Sequence, residues 1–246
     1  MSNSLTDQEY WDKSHPHVGL PVSGAMRFFI ERFCPPAPGD AFEVGCFPGR
    51  FLAIFGEHGF RVNGIDLDPR TGSELPGWFR RQGIAIGEFL VADFTAISAT
   101  RKYDVVASFG LIEHFTNWKE ILLRHTEFVK PGGTLIVTTP NFKGWVQSLL
   151  HRTFDRANYA RHYIPSMDPE EWAVLVESRG FEIVFAGFFG RFDFSCGSDE
   201  SLSSKAVQFV VRVANKVFLR PCLGLLPEGK KSYALCCGIV ARKRSS

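Results

Sequence analysis

The chain has 246 residues, 45% of them hydrophobic and 22% charged, with a formal net charge of +2. That balance suits one large α/β domain with a sizeable core and excludes a disordered chain or one that recruits nucleic acid through a global basic field. No apolar run of about eighteen residues is present, so no transmembrane helix is expected, and the polar first ten residues lack an apolar signal core. The six cysteines, at 34, 46, 196, 222, 236 and 237, form no C-x-x-C pair and no zinc spacing. A reducing, cytoplasmic setting without a metal is expected from them.

In chain order, Tyr10-Trp11 is the first feature, open to two readings: an aromatic lid over a ligand, or a pin holding the segment to the domain surface. His15 and His17 sit two apart with no further ligands nearby, which does not make a metal site. Met26, Phe28, Phe29, Ile30 and Phe33 recur at helical spacing over residues 23–33, and Pro35-Pro36-Ala37-Pro38-Gly39 ends that helix. Residues 41–66 then read as a strand, a glycine turn, a helix over 50–58 and a second strand ending in Asp66, a βαβ unit. Gly45 and Gly49 let a ligand and a helix N-terminus approach the backbone closely. Glu43 and Asp66 close the two strands with carboxylates, where ligands bind in open α/β sheets.

A short helical segment over 71–82 is expected to break at Pro76-Gly77. Residues 117–129 form an amphipathic helix, 145–150 a short one, and 151–166 a basic, aromatic loop. Asp168-Pro169-Glu170-Glu171 is a helix start with Asp as cap and Pro in the first turn. Residues 181–186 and 233–241 are closing strands. Between them, the stretch from Leu202 to Leu219 is apolar around much of its circumference. It reads as a core helix, a homodimer contact or a peripheral membrane helix.

The ligand of the βαβ unit can be narrowed. A dinucleotide loop would need glycine at 45, 47 and 50, but Phe47 and Arg50 stand there; a Walker A loop would need Gly-Lys-Ser/Thr, but the chain has Gly49-Arg50-Phe51. Glu43 would repel a pyrophosphate and suits a cationic amino-acid tail. Glu43-Val44-Gly45-Cys46-Phe47-Pro48-Gly49 resembles the E/D-x-G-x-G-x-G motif of class I S-adenosylmethionine-dependent methyltransferases, with Phe47 in place of the middle glycine. Gly64-Ile65-Asp66-Leu67-Asp68, residues 89–94, residues 103–114 and Lys130-Pro131-Gly132-Gly133 resemble the later motifs in order.

The resemblance implies a doubly wound, Rossmann-like α/β sheet of seven strands, mostly parallel with an antiparallel C-terminal edge hairpin and helices on both faces. It implies one domain over 1–246: an N-terminal cap and helix (1–40), a cofactor core (41–139), and acceptor-side or accessory segments (140–168 and 188–231). It implies S-adenosylmethionine as cofactor and S-adenosylhomocysteine as product, held by Glu43, Gly45, Cys46, Phe47, Gly49, Asp66, Leu67, Asp93, Phe94, Ser108 and Phe109. Within the family, Asp66 holds the ribose hydroxyls, Asp93 the adenine amino group, and Phe94 lines the ring. The nearest flavour is the group of ubiquinone-pathway and sugar or polysaccharide methyltransferases, acting on a small-molecule, sugar or lipid-linked acceptor.

On the acceptor side, His114 and His162 are candidate bases. The competing reading of His114 is a helix cap that touches the cofactor without acting as a base. Arg161 and Tyr163 are candidate substrate contacts, against a solvated loop. Glu113-His114-Phe115 also resembles the Glu-His-Phe of fatty-acid cyclopropane synthases, keeping a lipid-modifying enzyme as an alternative beside a non-catalytic cofactor-binding module. Pro140-Asn141-Phe142 lacks the Asp/Asn-Pro-Pro-Tyr/Phe of DNA amino-methylating enzymes, so no nucleic-acid substrate is expected. O-methylation is the favoured reaction.

Overall fold

Four of the five residues of β1 (Asp40–Val44) are buried, as a strand covered on both faces must be. The computed structural model describes residues 4–193, 209, 210, 213, 217 and 227–245. Around β1 lie β2 (Arg61–Asp66), β3 (Ile86–Val91), β4 (Tyr103–Phe109), β5 (Val129–Pro140), β6 (Phe181–Phe189) and β7 (Cys236–Lys243), in the order β3-β2-β1-β4-β5-β7-β6. β7 runs antiparallel to both β5 and β6, and the other pairings are parallel. The chain reverses direction across the sheet between β1 and β4, which opens a crevice at their carboxyl ends.

Successive residues along the strands serve opposite cores. On one face Ala41, Val62, Val105 and Ile136 meet Phe29 and Ile30 of α2 (Gly24–Phe33), Leu52 and Phe55 of α3 (Arg50–Glu57), and Phe79 of α5 (Leu75–Arg81). On the other, Phe42, Val44, Val106 and Leu135 meet Ile121 and Leu122 of α6 (Trp118–Glu127) and Trp172 and Val176 of α9 (Pro169–Glu177). The expected seven-stranded, doubly wound sheet with its antiparallel edge is the fold that forms.

Several boundaries differ from the sequence expectation. The short segment after β2 breaks at Glu74 into α4 (Arg70–Ser73) and α5, because Pro76 occupies the first turn of α5, where its missing N–H is no loss. β3 begins and ends earlier than residues 89–94. β5 takes in the Lys130–Gly133 turn as a bulge: pairing with β4 jumps from Val129 opposite Tyr103 to Thr134 opposite Val105.

The 151–166 segment is not an open loop. α7 (Trp145–Phe154) runs through it, followed by α8 (Arg156–Ala160) and a 3-10 turn (Ile164–Ser166). The N-terminal segment also carries a helix, α1 (Gln8–Ser14), capped by Asp7, whose carboxylate accepts the Tyr10 N–H at 2.9 Å. The helix expected from Leu202 to Leu219 lies largely outside the described residues. No helix among the described residues is long and apolar enough to cross a membrane.

α6 buries a histidine completely. His125 donates its Nδ1–H to the Ile121 carbonyl at 2.7 Å, its Nε2 has no partner, and burial lowers its pKa to about 4. The unfolded chain takes up this proton near pH 6.5. Between 6.5 and 4 the unfolded state therefore binds more protons, and stability falls as pH drops. The linked loss approaches about 3 kcal/mol once pH nears 4. Urea unfolding of wild type and His125→Leu at several pH values should show a smaller acid-induced loss in the variant, whatever its stability at neutral pH.

A candidate cofactor and acceptor site at the strand ends

The turn after β1 is built by two glycines in left-handed conformations. Gly45 (φ 73°) donates its N–H to the Ile65 carbonyl at 2.9 Å, and Gly49 (φ 86°) donates to the Cys46 carbonyl at 2.7 Å as the N-cap of α3. A Cβ on Gly49 would sit 2.7 Å from Leu75 Cδ2. Phe47, in place of the motif's middle glycine, turns its ring into the core at 5% exposure, and Arg70 lies 4.3 Å over its centroid. Asp66 fixes this turn from below, its carboxylate accepting the N–H groups of Phe47 and Asp68, each at 3.0 Å. Asp68 is itself buried and held by the Arg70 guanidinium at 2.6 Å.

Glu43 is 2% exposed, its Oε2 has no hydrogen-bond partner, and burial pushes its pKa well up, against the opposing charge of Arg50. The Nε of Arg50 is likewise buried and unpartnered. Just past β3, Asp93 is exposed and accepts both the N–H and the hydroxyl of Thr95, while Leu67, just past β2, stands 62% exposed. Phe94, expected to line the adenine ring, is 8% exposed. Its ring is drawn inward against His125 and Phe128, at 4.9 and 5.2 Å, because that is where α6 offers apolar surface. Ser108 is fully buried with an unpartnered hydroxyl, and the Phe109 ring leans on Phe51 of α3 at 4.8 Å.

Beside the crevice a column of rings runs from the N-terminal segment to α7. Trp11 stacks on His15 (5.5 Å) and meets His114 edge-on (4.9 Å); His114 meets His162 (4.7 Å), His162 meets Phe142 (4.7 Å), and Phe142 meets His151 (4.0 Å). His114 ends a 3-10 turn (Ile112–His114) rather than opening a helix. The Glu113 carbonyl accepts the Tyr163 N–H at 2.6 Å, which draws residues 161–163 against this turn. Burial lowers His114 to about 3, helped by His162, and lowers His162 to about 4. Burial raises Glu113 to about 8.

Arg161 places its guanidinium 4.5 Å over the Tyr10 ring. Tyr163, half-buried, packs against the core near α9. The structure thus brings His114, His162 and Arg161 together, with Tyr163 more deeply seated than a substrate contact on a solvated loop would be.

Residues 22–185 match a family profile described as a methyltransferase domain. The chain belongs to the S-adenosylmethionine-dependent methyltransferase family. Among curated relatives, it is 25% identical over 159 residues to the ubiquinone biosynthesis O-methyltransferase of Rickettsia canadensis, covering 58% of this chain and 63% of that protein. It is 26% identical over 133 residues to the (S)-coclaurine N-methyltransferase of Papaver somniferum, covering 53% and 33%. The chain thus spans less than two thirds of the length of these relatives. Among solved structures it resembles a methyltransferase from Archaeoglobus fulgidus (TM-score 0.57, 18% identity, 96% of this chain and 100% of that one). It also resembles coclaurine N-methyltransferase bound to N-methylheliamine and S-adenosylhomocysteine (0.59, 13%, 99% and 83%). These last two show the shared fold.

The chain's own residues fit the cofactor. Glu43, buried, and Arg50, half-buried with its Nε out of solvent, each carry an unpartnered polar atom and would complement the ammonium and carboxylate of a methionine tail. Arg50 is a site residue that pattern reading missed. Its signal was available: a cation in the first turn of a helix opposes the helix dipole unless it meets an anion. His15, lowered to about 4 by burial with Arg50 and Arg70 nearby, and the Asp68–Arg70 pair were also missed.

Replacing Asp66 by alanine should weaken S-adenosylmethionine binding by about 1–3 kcal/mol in calorimetric titration, since a half-buried carboxylate acceptor is lost. Wild-type affinity in that variant would mean that Asp66 serves the turn alone.

Proposed function

We propose that the protein transfers a methyl group from S-adenosylmethionine to an oxygen of a small-molecule, sugar or lipid-linked acceptor, with S-adenosylhomocysteine as the second product. The observation that carries this reading is the neutral His114–His162 pair, buried at His114 and half-buried at His162, with Trp11 edge-on against His114. The cofactor supplies a methyl group on a cationic sulfur, which the acceptor oxygen displaces in line. The chain supplies alignment, which accounts for about 7–11 kcal/mol in well-oriented reactions, and a dry, ring-lined enclosure.

Tyr10 and Trp11 act as a lid in this reading, because the N-terminal segment is tied down on both sides of the crevice. Leu5 donates its N–H to the His114 carbonyl at 2.7 Å, and Gly19 donates to the Pro48 carbonyl at 2.8 Å. With Nδ1 of His114 donating to the Arg161 carbonyl at 2.9 Å, its Nε2 keeps a lone pair that can accept from an acceptor hydroxyl. A histidine held near pKa 3 orients that hydroxyl but is a poor base for an alcohol. Acidic hydroxyls such as phenols and enols therefore suit the site best. N-methylation is the second reading, favoured by the similarity to an alkaloid N-methyltransferase; a neutral amine needs no base.

Titration of the purified chain with S-adenosylmethionine and S-adenosylhomocysteine should give micromolar binding of both. A panel of phenols, sugars and amines, read by S-adenosylhomocysteine release, then separates oxygen from nitrogen acceptors, and release with amines alone would overturn the O-methylation reading. Trp11→Ala should weaken S-adenosylhomocysteine binding by about 0.5–1.5 kcal/mol through loss of the ring contact that closes the lid. Unchanged affinity and turnover would leave Trp11 as a surface pin.

A further inference from the structure

Glu113, His114 and His162 each present one ligand-capable atom within 4.8 Å of the other two. We propose that these three side chains form a binding site for one divalent cation of borderline softness, of the zinc or ferrous type, at the acceptor end of the crevice.

Both histidines are set in the required tautomer. A backbone carbonyl can only accept, so Nδ1 of His114 donates to the Arg161 carbonyl (2.9 Å) and Nδ1 of His162 donates to the Asn158 carbonyl (2.6 Å). Nε2 is left as the lone-pair atom on each ring. Backbone carbonyls commonly hold metal-binding imidazoles in this way, fixing ring orientation and basicity.

The carboxylate of Glu113 supplies the independent observation. It is 1% exposed, and neither of its oxygens has a hydrogen-bond partner. A buried carboxyl group with two unsatisfied oxygens is costly in either protonation state, and a bound cation answers both oxygens at once. Two imidazoles and one carboxylate favour zinc, ferrous or nickel ions over magnesium or calcium, which take oxygen ligands throughout.

The present spacing is looser than a filled site. Ligand atoms around a tetrahedral zinc lie about 3.3 Å apart, given zinc–ligand distances of about 2.0–2.1 Å. Binding therefore draws the three groups in by roughly an ångström or more. The half-buried His162, just past the C-terminus of α8, is the side chain placed to move. Arg161 opposes the cation electrostatically, but its guanidinium is engaged on the Tyr10 face while its carbonyl supports His114.

Three protein ligands leave at least one position for water or an acceptor oxygen. This role rests on the methyl-transfer reading: a hydroxyl on that position is acidified by the cation. His114 and His162 are then ligands rather than bases, which fits the low basicity of the pair.

The full-length chain, stripped with a chelator and dialysed, is titrated near neutral pH with Zn²⁺ and, in parallel, with Mg²⁺. One Zn²⁺ per chain, with Mg²⁺ far weaker, is expected. Glu113→Gln and His162→Asn should each weaken Zn²⁺ by more than about tenfold. Co²⁺ added to the wild type should develop visible absorption bands that both variants lose. His162→Asn keeps the comparison decisive if the buried Glu113 variant fails to fold.

No stoichiometric Zn²⁺ in the wild type, or unchanged affinity in the folded variants, overturns the site. S-adenosylmethionine is titrated into the same samples. Cofactor binding without zinc refutes the metal site and spares the methyl-transfer reading. Zinc binding without cofactor does the reverse.

Discussion

A carboxylate drawn partly out of water needs donors, and the half-buried Asp66 finds them in two backbone N–H groups, one from Phe47 and one from Asp68. This one side chain joins the turn after β1 to the chain leaving β2. Together with the Gly45 and Cys46 N–H bonds to the Ile65 carbonyl, it holds the left-handed glycines, the start of α3 and the inward seat of Phe47. It also explains how the loop tolerates an aromatic ring where its relatives' motif has glycine. The ring is accommodated by the core beneath and the Arg70 guanidinium above, so the backbone path around the ligand space is kept.

The charges of the site are arranged in two zones. Around the turn Asp68 pairs with Arg70, while Glu43 and Arg50 face each other electrostatically, each with a buried atom left unpartnered. Along the ring column they are suppressed, with desolvation keeping the imidazoles of His15, His114 and His162 neutral. A cationic ligand is thereby met by carboxylates at one end and by rings at the other. Water, which would compete for an activated methyl group, is displaced by side chains that make few hydrogen bonds of their own.

The sheet was legible because its strands are apolar on both faces and its turns carry glycines that no other residue replaces without strain. α7 was only half legible, because its pattern is inverted. Trp145 and Leu149 are exposed at 68% and 59%, whereas Gln147 and His151 are buried. Gln147 donates to the Asp193 and Tyr233 carbonyls, and His151 pairs with Asp155 at 3.0 Å. Hydrophobic periodicity cannot find a helix whose inward face is polar and satisfied. Glu113–His114 and His162 stand almost fifty positions apart. The bonds from Tyr163 N–H to the Glu113 carbonyl and from His114 Nδ1 to the Arg161 carbonyl bring them together across that distance, so no spacing rule reveals the cluster. Asn141, conspicuous in the sequence, spends its side chain on the Lys231 and Ala234 carbonyls and on the Gly144 N–H.

The N-terminal strap is fastened twice. Near one end Ser4 bridges Phe115 and Leu5 reaches the His114 carbonyl; at the other Gly19, where a Cβ would lie 2.4 Å from the Trp78 ring, reaches Pro48. Between these moorings α1 sets Tyr10 and Trp11 against His114, and Arg70 ties the strap again at the Asp12 carboxylate and the Pro16 carbonyl. A span anchored on both banks does not lift over one bank alone. The two halves of the crevice therefore share a single doorway, and on the proposed methyl-transfer reading both products would leave through the same local opening.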